Sequence, residues 1–186
     1  MMKKLVLAFL ALALATLACS IFVGGPNYPA TPIPASTEAV QSLQTQVQQS
    51  MATGTATGTI TLNITEEQLT SYLAYYLQSQ PNPLVTDPQV QLRNGQMTVF
   101  GKVQQGMFIA NASITMTVGV DANGQPTVEI TQEDFGPYPA PQGLNSAISA
   151  LVAEAFTGSL GPVATGFRLE SISIAEGVMT VTGRIK

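Results

Sequence analysis

Side chains that could act as nucleophile or base at neutral pH are scarce in this chain. It has no histidine and one cysteine, Cys19, so neither a histidine base nor a cysteine–histidine pair can be built. The same shortage excludes a zinc site of the cysteine and histidine type, and a lone thiol cannot close an intramolecular disulfide. Carboxylate chemistry is what remains. Glu133-Asp134 is an adjacent acidic pair, and a two-carboxylate site would need a partner from Asp87, Asp121 or Glu170. Such residues at strand ends are ordinarily solvated, as Glu66 and Glu67 are ordinarily explained by a helix N-terminus that favours negative charge. Asp121-Ala-Asn123-Gly124 has part of the look of a calcium loop but lacks the third ligand position and the terminal glutamate, so it reads as a hairpin turn. The chain is therefore expected not to be an enzyme, with no catalytic residue, metal or cofactor assigned.

Cys19 is better explained by its place. Met1 to Lys4 is short and basic, Leu5 to Ala15 is apolar, and Ala18 puts a small residue just before the cysteine. That is the order of a secretory signal peptide, residues 1–18. Thr16-Leu17-Ala18-Cys19 resembles the bacterial lipobox, whose cysteine is acylated, palmitate included, and becomes the new N-terminus. Two other readings stay open. Leu5 to Val23 as a helix would be about 28 Å long and would just span a bilayer uncleaved, and simple secretion is the third. Either membrane reading places the rest of the chain at the cell membrane or outer envelope, on the extracytoplasmic side.

The chain has 186 residues, a formal charge of -4 and only 10% charged residues. Loss of Lys3 and Lys4 with a leader would leave Arg93, Lys102, Arg168, Arg184 and Lys186 as the cations, too few to neutralise a run of phosphates, so nucleic acid is excluded as a partner. A protein partner is left unknown.

Stepping along the chain, residues 19–35 are rich in proline and glycine and read as an extended tether. Residues 36–57 place Val40, Leu43, Val47 and Met51 at helical spacing, a weak amphipathic helix capped by Ser36 or Thr37, with Thr53 to Gly58 as a flexible joint. Residues 58–186 form the expected α+β domain. Ile60, Leu62 and Ile64 alternate with polar residues in a half-buried strand, and Thr65-Glu66-Glu67-Gln68 has the form of a capping box. A helix follows with Leu69, Tyr72, Leu73, Tyr76 and Leu77 on one face. Asn94-Gly95 is a strong hairpin signal. A long strand runs from Phe108 to Val120, turns at Asp121, returns through Val128 and Ile130 and is broken at Gly136. A second amphipathic helix is expected from about Gln142 to Phe156, followed by a last hairpin.

That last hairpin repeats an earlier one. Val90 to Val103 lines up without gaps against Ile172 to Ile185, with Gly95/Gly177, Met97/Met179, Thr98/Thr180, Val99/Val181 and Gly101/Gly183 identical. Each copy follows an amphipathic helix, so the domain reads as two related helix-plus-hairpin units joined by a central antiparallel pair. The economical arrangement is one curved antiparallel sheet packed on its inner face by the two helices.

Two readings of that inner face compete. In one it is a plain packed core. In the other, small residues such as Ala110, Ala112, Gly101 and Gly183 leave room for an apolar ligand, lined by Leu69, Leu73, Leu77, Ala110, Ala112, Leu151 and Phe156, with methionines adapting to chain shape. From Ile60 to Ile185 the sequence resembles bacterial envelope proteins of the tubular lipid-binding (TULIP, BPI-like) kind. The resemblance is carried by Ile64 to Leu69, by Leu92 to Val99, by Gly136-Pro-Tyr-Pro-Ala-Pro141 and by Ile172 to Gly183, and implies an apolar ligand or a role in envelope lipid handling. The functional expectations are thus a membrane-anchored lipoprotein binding lipid or another apolar ligand or, alternatively, a structural or partner-binding envelope lipoprotein.

Overall fold

The computed structural model describes residues 20–81, 83, 85–140, 142 and 167–185. Cys19, Leu151, Phe156 and the helix expected from Gln142 to Phe156 lie outside those residues or almost wholly so. The described chain is α+β. In order it runs β1 (Ile21–Phe22), α1 (Thr37–Thr57), β2 (Thr59–Thr65), α2 (Glu66–Ser79), β3 (Thr86–Arg93), β4 (Gln96–Gln105), β5 (Phe108–Val120), β6 (Pro126–Asp134), β7 (Phe167–Ala175) and β8 (Val178–Ile185).

The strands make two sheets rather than the one expected. The larger, strongly curled sheet has β3, β4 and β5 side by side and antiparallel, and the far edge of β5 carries both β6, antiparallel, and β1, parallel. The smaller is antiparallel, in the order β2-β8-β7. Splitting into two sheets follows from β2 pairing with the last hairpin rather than with its chain neighbours.

The repeated hairpins fold alike. Val90 pairs with Val99 and Leu92 with Met97; Ile172 pairs with Val181 and Ile174 with Met179. The likeness extends to a defect, since one extra residue bulges β3 between Thr86 and Gln89 and another bulges β7 between Leu169 and Ser171, the corresponding place. A shared register can arise from turn rules alone; a shared bulge is a stronger sign of a common unit. Each hairpin also takes a third strand in the same way. Ala112, Ile114 and Met116 of β5 lie opposite Gly101, Val99 and Met97, as Ile60, Leu62 and Ile64 of β2 lie opposite Gly183, Val181 and Met179. The strand that opens each unit is thus paired with the other unit's hairpin.

The turns of the two hairpins meet. The N–H of Gly177 donates to the Leu92 carbonyl at 2.9 Å, and the N–H of Asn94 reaches the carboxylate of Glu176, 82 residues on, at 3.5 Å. Arg93 ties the junction by pairing with Glu66 on one side and Glu176 on the other.

The first helix is longer than its sequence suggests. Ser36 caps it, accepting from the N–H of Ala39, and it runs through Thr53 to Thr57 before Gly58 ends it at φ 76. The flexible joint is thus replaced by helix. The hydroxyls of Thr55 and Thr57 donate to carbonyls one turn back, and Ser50 donates to Thr61 of β2, so the polar residues that weaken the propensity also bond the helix locally and to the sheet. Ala39, Leu43 and Val47 are buried, and Met51 packs beside them. Leu43, Val47 and Met51 meet Ile60, Leu62 and Ile64 of β2, Val90 and Leu92 of β3, and Met179 and Val181 of β8 in one core. A second cluster, Ala112, Ile114, Met116 and Phe135, fills the face of β5, and Met97 and Val99 border both.

In α2 the expected capping box is formed, with Thr65 and Gln68 exchanging side-chain and backbone bonds at 3.0 and 3.3 Å. Its most buried residues, however, are Gln68, Thr70, Ser71 and Ala74, while Leu69, Tyr72 and Leu73 are half-buried. The reason is where the helix lies. It runs along the open edge of β3, where Thr70 accepts from the N–H of Val90 at 3.0 Å and Glu66 from that of Leu92 at 2.7 Å. Side-chain acceptors on α2 thus stand where a neighbouring strand would otherwise pair, which closes the edge against other chains.

Candidate functional site

Residues 19–35 were expected to form an extended tether; those described begin at Ser20. They are extended, as the prolines require, but they are bonded to the sheet along their length. β1 lies beside the start of β5, and Asn111 then holds the chain twice, its N–H donating to Gly24 and its side-chain amide to Pro26, at 2.9 and 3.1 Å. Gly25 has φ 113, and a Cβ there would sit 2.2 Å from the Asn111 carbonyl oxygen, so only glycine allows the approach. Further on, Tyr28 sets its ring edge-on against Phe100, 6.4 Å between centroids, and its hydroxyl donates to the Asp87 carbonyl. Ile33 exchanges two bonds with the side chain of the buried Gln89, at 2.6 and 2.9 Å, and the N–H of Ser36 donates to Ser71 of α2.

Under this strap lies a half-open cavity of about 500 Å³. Tyr28, Pro32 and Ala35 of the strap form one wall and Ala74, Leu77 and Gln78 at the end of α2 form the second. Pro83 and Val85, just before β3, and Thr86 to Gln89 at its start form the third, and Lys102 of β4 also lines the cavity. The lining is divided. Leu77, Ala74, Pro83 and Val85 supply apolar surface. Lys102 pairs with Asp87 at 2.8 Å and sits 5.8 Å from the centroid of the Tyr28 ring. Burial raises the pKa of the Tyr28 hydroxyl, the negative Asp87 adds to that, and a hydrogen bond with Gln89 opposes it. The phenol is therefore neutral over the physiological range and is a donor, not a base.

Of the residues expected to line an apolar groove, the structure brings only Leu77 to this cavity. Leu69 and Leu73 pack on the core between the helices and the sheets. Ala110 and Ala112 are buried on β5, Ala112 in one cluster with Ile114, Met116 and Phe135. The room expected above Gly101 is taken by Val85, whose Cγ1 would lie 2.1 Å from a Cβ added there. Leu151, Phe156 and Cys19 are outside the described residues. The strap residues Tyr28, Pro32 and Ala35 escaped sequence reasoning, since proline-rich segments carry no periodicity; the one available signal was an aromatic residue among the prolines.

The carboxylates are engaged locally. Asp121 accepts from the N–H groups of Asn123 and Gln125 at 2.9 and 2.8 Å, and these bonds, that of Gln125 first, hold its pKa below the usual value. Asp134 caps the Gly136 turn and Glu170 pairs with Arg184. Among the described residues no three acidic, cysteine or histidine side chains gather to hold a metal ion, and no helix is long and apolar enough to cross a membrane.

No protein-family model matches the sequence and no curated protein matches it. A solved structure described as the crystal structure of lipopolysaccharide binding protein is similar at 13% identity and a TM-score of 0.31, over 69% of this chain and 50% of that one. This chain spans about half the length of that structure. At that level of superposition neither ligand nor activity is transferred, and the reading rests on the site itself.

Proposed function

We propose that this chain is a non-enzymatic, extracytoplasmic lipoprotein, held to a membrane through acyl chains on Cys19, that binds a lipid or similar amphiphile in the cavity under the strap. The observation that carries the binding role is the divided lining. A cavity of about 500 Å³ falls within the ~300–1,000 Å³ of small-molecule sites. Its apolar lining, Leu77 and Val85 included, suits a short length of hydrocarbon, and Lys102, Tyr28 and Gln78 suit a polar head. The anchoring role rests on the leader and on the place of the single cysteine.

A second reading has an observation of its own. Val85 over Gly101 and the cluster of Ala112, Ile114, Met116 and Phe135 fill the sheet face on which a groove was expected, which favours a plain core and a structural or partner-binding lipoprotein. Native mass spectrometry of the full chain released from membranes separates the two. Bound lipid is expected in the wild type and its loss in Ala35→Trp, a substitution that fills the cavity from an exposed strap position, with circular dichroism unchanged. A ligand-free wild type, or lipid retained by Ala35→Trp, overturns the binding role.

A further inference from the structure

One corner of the larger sheet is apolar and, among the described residues, left uncovered. Ile21, Phe22 and Val23 at the start of the strap lie beside Met107 and Phe108 at the β4–β5 turn, joined by the Ile21 N–H donating to the Met107 carbonyl at 2.7 Å. All five are exposed, Phe22 by 61% and Met107 by 54%. Large apolar residues scattered singly need no explanation; five gathered at one corner do.

The geometry points to this corner as a wedge that enters the lipid bilayer, so that the protein is seated on its membrane by its own surface as well as by its anchor. This rests on the anchoring proposed above and adds an orientation to it. Three observations choose lipid over a protein partner. First, consecutive strand residues point to opposite faces, so Ile21 and Phe22 present apolar groups on both sides of the corner, and Met107 extends the apolar surface onto the turn. A docked protein would cover one face, whereas a bilayer surrounds a corner. Second, no charged residue occurs from Leu5 to Thr37 or from Val103 to Val120, so immersion desolvates no ion, the step that makes burial in hydrocarbon expensive. Third, Cys19 precedes Ile21 by two residues, which places the attachment point of the lipid within about 7 Å of the patch along the chain. An uncleaved leader helix would emerge from the bilayer at the same spot.

With a net charge of -4 and no cation in the wedge, the insertion is apolar in origin and independent of anionic lipid and of salt. The strap cavity, with Lys102 and Tyr28, then lies further along the same strap from the membrane end.

The chain contains no tryptophan, so Phe108→Trp gives a single reporter. The full chain carrying Phe108→Trp is placed in phosphatidylcholine vesicles with brominated acyl chains, beside Tyr75→Trp, an exposed position on α2, as control. Strong quenching at 108, little at 75, and no change when salt is raised are expected. Vesicle-bound protein whose Trp at 108 is unquenched overturns the wedge and leaves the anchor standing. Emission at 108 that is already blue-shifted without vesicles and ignores brominated lipid shows a protein covering the patch, and also overturns it. If the chain is recovered in the soluble fraction with a free Cys19 thiol, the anchoring reading fails; quenching at 108 on adding vesicles to that soluble chain still supports the wedge, and its absence overturns it.

Discussion

At the scale of the residue, Tyr28 is the side chain on which the strap and the cavity both depend. It touches Phe100, Lys102 and Asp87 at once, so its ionisation reports whether the strap is seated. Its pKa is raised in the folded protein, first by burial and then by Asp87. A tyrosine whose folded pKa lies above its unfolded value of ~10 contributes stability that is fully present below that value and is lost as pH rises through the folded one. Ultraviolet difference titration of the wild type against Tyr28→Phe isolates this residue from the other tyrosines. The midpoint is expected above the ordinary tyrosine value; a midpoint at or below it means that the strap does not bury the ring.

At the scale of the element, α2 shows what a polar residue in a helix is for. Thr70 and Ser71 are fully buried and look, in sequence, like gaps in an amphipathic stripe. Each accepts a backbone N–H, Thr70 from the buried Val90 and Ser71 from the half-buried Ser36. Thr70→Val keeps the volume and removes the acceptor, and is expected to destabilise the fold by about 1–3 kcal/mol in urea unfolding. A change within error would mean that water satisfies Val90 at the β3 edge. Local rules made the strands, the Asn94-Gly95 and Asp121 turns and the Thr65 capping box readable from sequence, because each depends on neighbours within a few positions. The split into two sheets was hidden. It depends on β2 choosing β8 across more than a hundred residues of chain, and Ile60, Leu62 and Ile64 would look the same beside any partner. The strap was hidden for a related reason: its hold comes from Asn111, Asp87 and Gln89 on other elements, and nothing in a proline-rich stretch announces them.

At the scale of the whole molecule, the two hairpin units lean on one another, and residues 20–57 are part of the same body. A boundary at residue 58 follows the composition, but the packing crosses it. Leu43 and Val47 each contribute about 1.5–3 kcal/mol of apolar burial, against a net stability of ~5–15 kcal/mol for a typical protein. Ordering α1 and the strap offsets part of that gain, so the sum alone does not decide the outcome. Exposure does: without α1 and the strap, the inner sides of Ile60, Leu62 and Ile64 lose their cover on a sheet only three strands wide, and the buried side chain of Gln89 loses both its bonds with Ile33, one accepted and one donated. A chain beginning at Gly58 is therefore expected to associate or to unfold without a cooperative transition, where one beginning at Ser20 unfolds as a monomer in a single step. Urea unfolding with analytical ultracentrifugation measures both. A monomeric chain from Gly58 with the same midpoint as the longer one would make the strap and α1 a detachable arm, and the cavity between strap and α2 would then no longer be a permanent feature of the fold.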